Sequence, residues 1–278
     1  MNASPELPKL RVVFATGPLV YNSMVVERVI QSGKFTVPAV ILGDFIYPKM
    51  SLLRGAWTAY KKCGWQYFIF KVFETWMMKL ALFAKGSRSR YHFFSQLSGL
   101  YGVPFKETRN LNSPEIIEFL KGLKPDVIVS MFAQKIGDEV MKIPRLGVIN
   151  LHPGLLPEYR SFGGYFWPMT DDFGSYGYTL HFINDQIDAG DIILRKAFPI
   201  TPDSTVQNLY YNSFKHGAEG LVEVLEQFAK GRVTRIPQSV EGHPCRLWPN
   251  GEAIRLLREK GYRLFRFKDF FDIYKNDL

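Results

Sequence analysis

The stretch Gly147-Val-Ile-Asn-Leu-His-Pro-Gly-Leu-Leu-Pro157 decides how the rest of the chain is read. Its apolar run predicts a strand over 147–152, and Pro153-Gly154 end it. Asn150 and His152 are two apart, so on a strand both point to one face, at its carboxyl end. Open α/β sheets bind ligands beyond the carboxyl ends of their strands, so this is a place for chemistry. Further on, Ile183-Asn-Asp-Gln-Ile-Asp-Ala-Gly190 follows a second strand and puts Asp188 in a polar, glycine-bounded loop. If the two loops meet over one cleft, the three side chains divide the work naturally. Asn150 donates to a developing oxyanion. His152 donates to the same oxygen or moves a proton near neutral pH. Asp188 orients the imidazole and raises its basicity. Spacing alone leaves a structural, hydrogen-bonding role for the three open beside this catalytic one.

Working outward, the pattern is that of an α/β protein with a mostly parallel sheet. A β-rich run over 10–15, a helix over 23–30 and a strand over 37–42 make a β-α-β opening. The first turn, Thr16-Gly-Pro, lacks the Gly-x-Gly-x-x-Gly spacing of a dinucleotide site. Ser113-Pro114 start a helix that Gly122 and Pro125 end, and the continuous apolar run over 126–131 reads as a buried parallel strand. A turn over 132–135 and a short helix over 136–141 lead into the opening stretch. After it, a helix starts within 166–169, strands cover 177–183 and 191–198, and a long helix runs to about 230. Residues 231–278 change character: short β-like pieces near Val233 and Ile236, a helix over 252–260, then an aromatic, basic tail. This divides the chain into a main domain over 1–230 and a small mixed α+β extension over 231–278.

The chain has 278 residues and a formal charge of +9. Between Lys49 and His92, nine lysines and arginines face the single acid Glu74, so this segment holds nearly all the excess charge. The same segment repeats aromatics at helical spacing, among them Trp57, Trp65, Phe68, Phe73 and Trp76. It reads as a helical insertion of one or two basic amphipathic helices. The aromatic stripe suits packing on its own domain or on a second copy in a homodimer. It equally suits a membrane surface, with lysines on anionic headgroups, or a phosphate-bearing small molecule. Nucleic acid is disfavoured, because the segment matches no recognisable RNA module. Cys63 and Cys245 fit no metal or redox spacing and read as reduced thiols. Residues 1–9 lack an apolar signal region, and no apolar run reaches the ~20 residues that span a bilayer. The expected location is cytoplasmic, with a peripheral place at the inner face of the membrane as the variant of it.

Asn150-Leu-His-Pro-Gly-Leu-Leu-Pro157 paired with Ile183-Asn-Asp-Gln-Ile-Asp-Ala-Gly190 resembles the folate-dependent formyltransferase family, clearly over about 125–221 and loosely over the first two strands. That family includes methionyl-tRNA, glycinamide ribonucleotide and nucleotide-sugar formyltransferases. The resemblance implies a Rossmann-like fold with helices on both faces of the sheet. It also implies that a primary amine attacks the formyl carbon of N10-formyltetrahydrofolate, with Asn150, His152 and Asp188 as the catalytic trio. Asn150 and His152 would hold the oxyanion, and Asp188 would handle the amine's proton. The folate would lie against Phe132, Ala133, Gln134, Lys135 and Ile136. Ile183, Asn184, Asp185 and Ile187 would form its second wall, and Leu155 and Pro157 would shape the pocket's mouth. Tyr159, Arg160, Ser161, Gly163 and Gly164 would face the acceptor. No metal is implied. His181, His216 and His243 read as structural.

The acceptor is narrowed by departures from the family's branches. Thr16-Gly-Pro-Leu-Val replaces the Gly-Ser-Gly-x-Asn phosphate loop of the glycinamide ribonucleotide branch. Glu158-Tyr-Arg-Ser-Phe-Gly-Gly departs from the Arg/Lys-x-Arg-Gly loop of the tRNA branch, and 231–278 is short for that branch's C-terminal barrel. An amino sugar on a nucleotide or lipid phosphate is the expected acceptor. Methionyl-tRNA, hydrolysis of the formyl-folate, and a membrane-surface protein that merely keeps the fold are the alternatives.

Overall fold

The computed structural model describes residues 9–43, 52–131, 134–276 and 278. In chain order the elements are β1 (Val12–Thr16), α1 (Val20–Gln31), β2 (Val40–Gly43), α2 (Leu52–Lys85), α3 (Phe94–Tyr101), β3 (Phe105–Thr108) and α4 (Pro114–Leu123). Then follow β4 (Val127–Met131), α5 (Asp138–Met141), β5 (Gly147–His152), β6 (Ser175–Phe182), β7 (Ile192–Pro199), α6 (Val206–Ala229), α7 (Gly251–Glu259) and α8 (Phe267–Asn276). One seven-stranded sheet runs in the order β3-β2-β1-β4-β5-β6-β7. The first five strands of that order are parallel, and β6 and β7 are antiparallel additions at one edge. The chain reverses its direction of travel across the sheet between β1 and β4, so the carboxyl ends of β1, β4 and β5 open on one side.

The period of two along the strands explains the layering. Val12, Phe14, Val127, Val129, Ile149 and Leu151 pack into a large core with α1 and α6. Val13, Ala15, Ile128 and Val148 point the other way, into a smaller core with α4 and α5. Both sheet faces are therefore covered, and near-continuous apolar strands result. Asn150 and His152 share the parity of Val148, and at the strand's end that parity leads out of the smaller core into the loop region.

Several expectations shift. Residues 93–112, which carry no assignment from sequence, contain α3 and the edge strand β3. The helix expected from 166 is a single tight turn over Trp167–Met169. The tail folds as α8, while Ile236 makes only a bridge to Ile192, so 231–278 adds no strand among the described residues.

The insertion is the 34-residue α2, broken at Gly64, whose φ of 71° is left-handed. A Cβ there would stand 3.6 Å from the Gly251 amide at the start of α7. Cys63, Tyr67, Phe70, Met78 and Leu82 bury one face of α2 against the domain and the C-terminal helices. The segment after α2 is anchored by Glu27 of α1, which is fully buried. Its carboxylate accepts from the His92 amide (2.6 Å), faces His92 Nδ1 (2.7 Å) and accepts from the Tyr101 hydroxyl (2.8 Å). Glu27→Ala strands these groups without an acceptor. It is expected to cost ~3 kcal/mol, read as a lower denaturant midpoint with an unchanged slope in equilibrium unfolding.

Candidate active site

Three backbone features bring the cleft together. First, β5 and β6 pair so that Asn150 lies opposite His181 and His152 opposite Thr179. Second, the Thr179 hydroxyl donates to the Gly154 carbonyl (2.8 Å) and accepts from the Leu156 amide (3.1 Å), which folds the loop after β5 back over β6. Third, that loop returns the Tyr159 carbonyl to His152 Nε2 at 2.7 Å. The packing allows no side chain between loop and ring. A Cβ on Gly154 would meet Gly164 Cα and His152 Nε2, both at 2.8 Å, and a Cβ on Gly164 would meet Gly154 Cα at 2.8 Å.

The hydrogen bonds determine the tautomers. A carbonyl only accepts, so His152 carries its proton on Nε2 and presents the Nδ1 lone pair to the cleft. His181 is 1% exposed and donates from Nδ1 to its neighbour's carbonyl, Phe182 O, at 2.8 Å. Its Nε2 therefore accepts, and Asn150 must turn its amide nitrogen toward it, 3.1 Å away. The Asn150 amide is thus oriented from behind, with its second N–H available to the cleft.

Asp188 completes the group. It adopts a left-handed φ of 48°, and its Oδ2 accepts from the amide of Ser161, also left-handed at 71°. Non-glycine residues held there mark positions that the surroundings over-determine. Asp188 Oδ2 lies 3.6 Å from His152 Nδ1, and Oδ1 lies 3.6 Å from His181 Nε2. Burial opposes ionisation of Asp188. The His152 and His181 imidazoles and the Ser161 amide nevertheless hold its carboxyl well below the ordinary carboxylate range. His152 goes the other way. Burial lowers its pKa by more than Asp188 raises it, and His181 lowers it further. The pair is therefore a neutral imidazole facing a carboxylate. The Tyr159 carbonyl, not Asp188, takes the ring's hydrogen bond and orients it; Asp188 raises the imidazole's basicity as expected, but burial outweighs it.

Other expected contacts are sorted by burial. Arg160 is 8% exposed, and its guanidinium donates to the Ile187 carbonyl from Nε (3.0 Å) and to the His243 carbonyl (3.0 Å). It clamps the loop that carries Asp188 and does not face an acceptor. Leu155 is fully buried beneath β6, so it belongs to the core and not to a pocket mouth, whereas Pro157 is half-buried. The Tyr159 ring is 2% exposed, and only its carbonyl reaches the site. Ser161 acts through its amide, Gly164 is buried behind the imidazole, and Gly163 is buried against Trp167. Ile183 is half-buried, while Asn184, Asp185 and Ile187 are exposed beside Asp188. On the opposite wall Ile136 is in the smaller core. Gln134 is tied to the Leu111 amide and to Asn110, and the Lys135 carbonyl accepts from Asn112 (2.9 Å). The Lys135 residue is exposed. Phe132 and Ala133 lie outside the described residues.

The sequence reading gives His181 the structural role it has here and passes over two contributors: Thr179 behind the trio, and Gln238, which donates to the Gly190 carbonyl (2.5 Å) and to the Asp188 carbonyl (3.3 Å). Thr179 and His181 carried a signal, the same two-residue spacing on β6 that Asn150 and His152 show on β5. Gln238 carried none. A concavity of about 610 Å3 lined by Lys121, Lys124, Lys142 and Arg145 lies beside Pro125 and Asp126. That is the amino end of β4, away from the trio.

A family described as formyl transferase matches residues 86–225, half of the chain. The chain belongs to this family. The matched span runs from the end of α2 into α6, and so includes the whole trio. Methionyl-tRNA formyltransferase of Trichlorobacter lovleyi is 32% identical over 139 residues, which are 50% of this chain and 44% of that protein. The chain thus spans under half the length of that curated relative. Among solved structures, phosphoribosylglycinamide formyltransferase from Anaplasma phagocytophilum superposes with a TM-score of 0.58 at 15% identity, covering 87% of this chain and 99% of that one. An N-formyltransferase from Helicobacter canadensis in complex with folinic acid and dTDP-3-aminofucose superposes with a TM-score of 0.57 at 16% identity, covering 94% and 82%. At these identities the structures share the formyltransferase fold.

Gly164→Ala tests whether the imidazole's position matters. The added methyl must displace Gly154 or the ring, and a shift near 1 Å is expected to lower kcat/KM about 10²-fold, with the far-ultraviolet dichroism unchanged.

Proposed function

We propose that this chain transfers a formyl group from N10-formyltetrahydrofolate to the primary amine of an amino sugar carried on a phosphate-containing group. The observation that carries the reaction is the convergence of the Asn150 amide, the unprotonated His152 Nδ1 and the ionised Asp188 at the carboxyl end of β5. When bound, the folate supplies an activated formyl group. The donor set fits that group. A carbonyl carbon under attack by an amine needs a hydrogen-bond donor for its oxygen and acceptors for the amine's protons, and all are present.

In this reading Asn150, held by His181, donates to the formyl oxygen as charge builds on it. His152 Nδ1 takes a proton from the attacking amine. Asp188, 3.6 Å away, stabilises the imidazolium that forms and does not itself become protonated. Once protonated, His152 is a donor on both nitrogens and can return the proton to the departing nitrogen. Residues 1–230 carry this chemistry, and 231–278 brace it through Gln238 and through Arg246, whose amide donates to the Arg160 carbonyl at 2.9 Å.

The sugar acceptor is supported by likeness in fold to an N-formyltransferase bound to dTDP-3-aminofucose. The methionyl-tRNA reading draws on the curated relative. Purified protein with formyl donor and a panel of nucleotide-linked amino sugars separates them. Donor consumption is expected with at least one sugar. Turnover with charged methionyl-tRNA alone overturns the acceptor, and formate release without any amine overturns the transfer.

Asn150→Ala and Asp188→Asn are each expected to lower kcat about 10²–10³-fold. The pH profile gives an independent check. Neutral His152 is the active form and its pKa lies below the ordinary value, so the acid limb of kcat/KM should fall below about pH 6.5. Asp188 raises the His152 pKa, so Asp188→Asn should move that limb to still lower pH. The same shifts govern stability. Both folded-state pKa values are depressed, so the contribution is complete above about 6.5 for His152 and about 3.9 for Asp188, and is lost as the pH falls.

A further inference from the structure

The outward face of α2 has no part in the site. Trp65, Ile69, Val72, Trp76, Leu80 and Phe83 follow one another at steps of three and four, so they form a single row along the helix. The opposite face, with Tyr67, Phe70, Met78 and Leu82, is already used against the domain. The helix is therefore apolar on two sides, and one is left in water. Trp65 is 59%, Trp76 57% and Phe83 80% exposed. Isolated exposed apolar residues are ordinary, but a continuous row about 27 Å long marks an interaction surface.

The row does not end with α2. Phe73 sits at its flank and meets Phe267 of α8 edge-on, with centroids 6.0 Å apart. Phe267 and Phe271, one helical turn apart, are 71% and 63% exposed. Before the break at Gly64, Trp57 is 59% exposed and stacks on Tyr60 at 5.4 Å. Three of the chain's five tryptophans thus face outward on this one helix. Tryptophan, with an apolar body and a polar edge, favours the boundary between hydrocarbon and water.

Charge decides the occupant. Lys61, Lys62 and Lys79 are exposed on α2 and Arg88 just beyond its end, while Glu74, the only acid of 49–92, is 1% exposed and turned inward. A two-fold pairing of this face with a second copy would set lysine against lysine. Anionic headgroups complement it. No helix among the described residues is long and apolar enough to cross a membrane, so the face would lie on a bilayer and not span it.

We propose that the outward faces of α2 and α8 form a docking surface for an anionic lipid bilayer, with the aromatic row in the interface and the flanking lysines on the headgroups. Nothing in this depends on formyl transfer, so vesicle binding and turnover are read separately. The experiment is co-sedimentation of the full chain with vesicles of phosphatidylcholine alone and of phosphatidylcholine with phosphatidylglycerol. Binding is expected to the anionic vesicles only and to weaken as salt is raised. Lys61→Gln with Lys62→Gln should weaken the partition about 30-fold. Trp76→Ser with Phe83→Ser, both at exposed positions, should weaken it at least about 100-fold. Absence of binding to anionic vesicles overturns the proposal. So does equal binding to neutral ones, or a dimer in light scattering that the Trp76 and Phe83 changes abolish while vesicles bind nothing.

Discussion

The hydrogen bond from His152 Nε2 to the Tyr159 carbonyl is the constraint on which the site depends. It places the ring's proton on the nitrogen away from the cleft, so that Nδ1 meets Asp188 as a lone pair. It also closes the loop after β5, and that closure requires the contact between Gly154 and Gly164, where no Cβ can stand. Because the ring is buried, it resists charging. Because Asp188 faces two imidazoles and an amide, it resists protonation. Two titratable neighbours are thus pushed apart in proton affinity, so that a neutral imidazole stands beside a carboxylate.

The remaining polar groups hold this pair still. His181 turns the Asn150 amide, Thr179 folds the loop, Arg160 and Gln238 grip the carbonyls around Asp188, and the Ser161 amide holds its carboxylate. These contacts come from β6, from the loop after β5 and from the C-terminal segment, three parts of the chain distant in sequence. A left-handed aspartate persists only where the surroundings over-determine it, and here they do. The C-terminal segment also supports α2 through α7 and α8. The active loop and the outward aromatic face therefore share one brace.

How much of this was legible follows from the range of each signal. The parallel strands, the helix on either side and the insertion are written in local periodicity, which a sequence displays directly. Asn150 and His152 announce themselves by a two-residue spacing at a strand end, and Asp188 by its glycine-bounded loop. The short edge strand β3 was not legible, because its four residues carry no clean alternation; α8 was written in the helical spacing of Phe267, Phe270, Phe271 and Tyr274, which the reading of the tail as merely aromatic and basic passed over. The helix expected from Phe166 lasts one turn only, because Asp172 (φ 53°) and Gly174 (φ 73°) turn the chain left-handed just beyond it.

Sequence alone determined the fold class and the concentration of charge in 49–92, which are matters of periodicity and composition, and the motif resemblance singled out the three central side chains. Only the tertiary structure decided which nitrogen of His152 faces the cleft, that Arg160 is a clamp and that Leu155 is core. It alone decided which face of α2 is left outside. Those properties depend on what lies across a hydrogen bond or a packed surface, and the partners are carbonyls, amides and helices tens of residues away, whose positions no local pattern encodes.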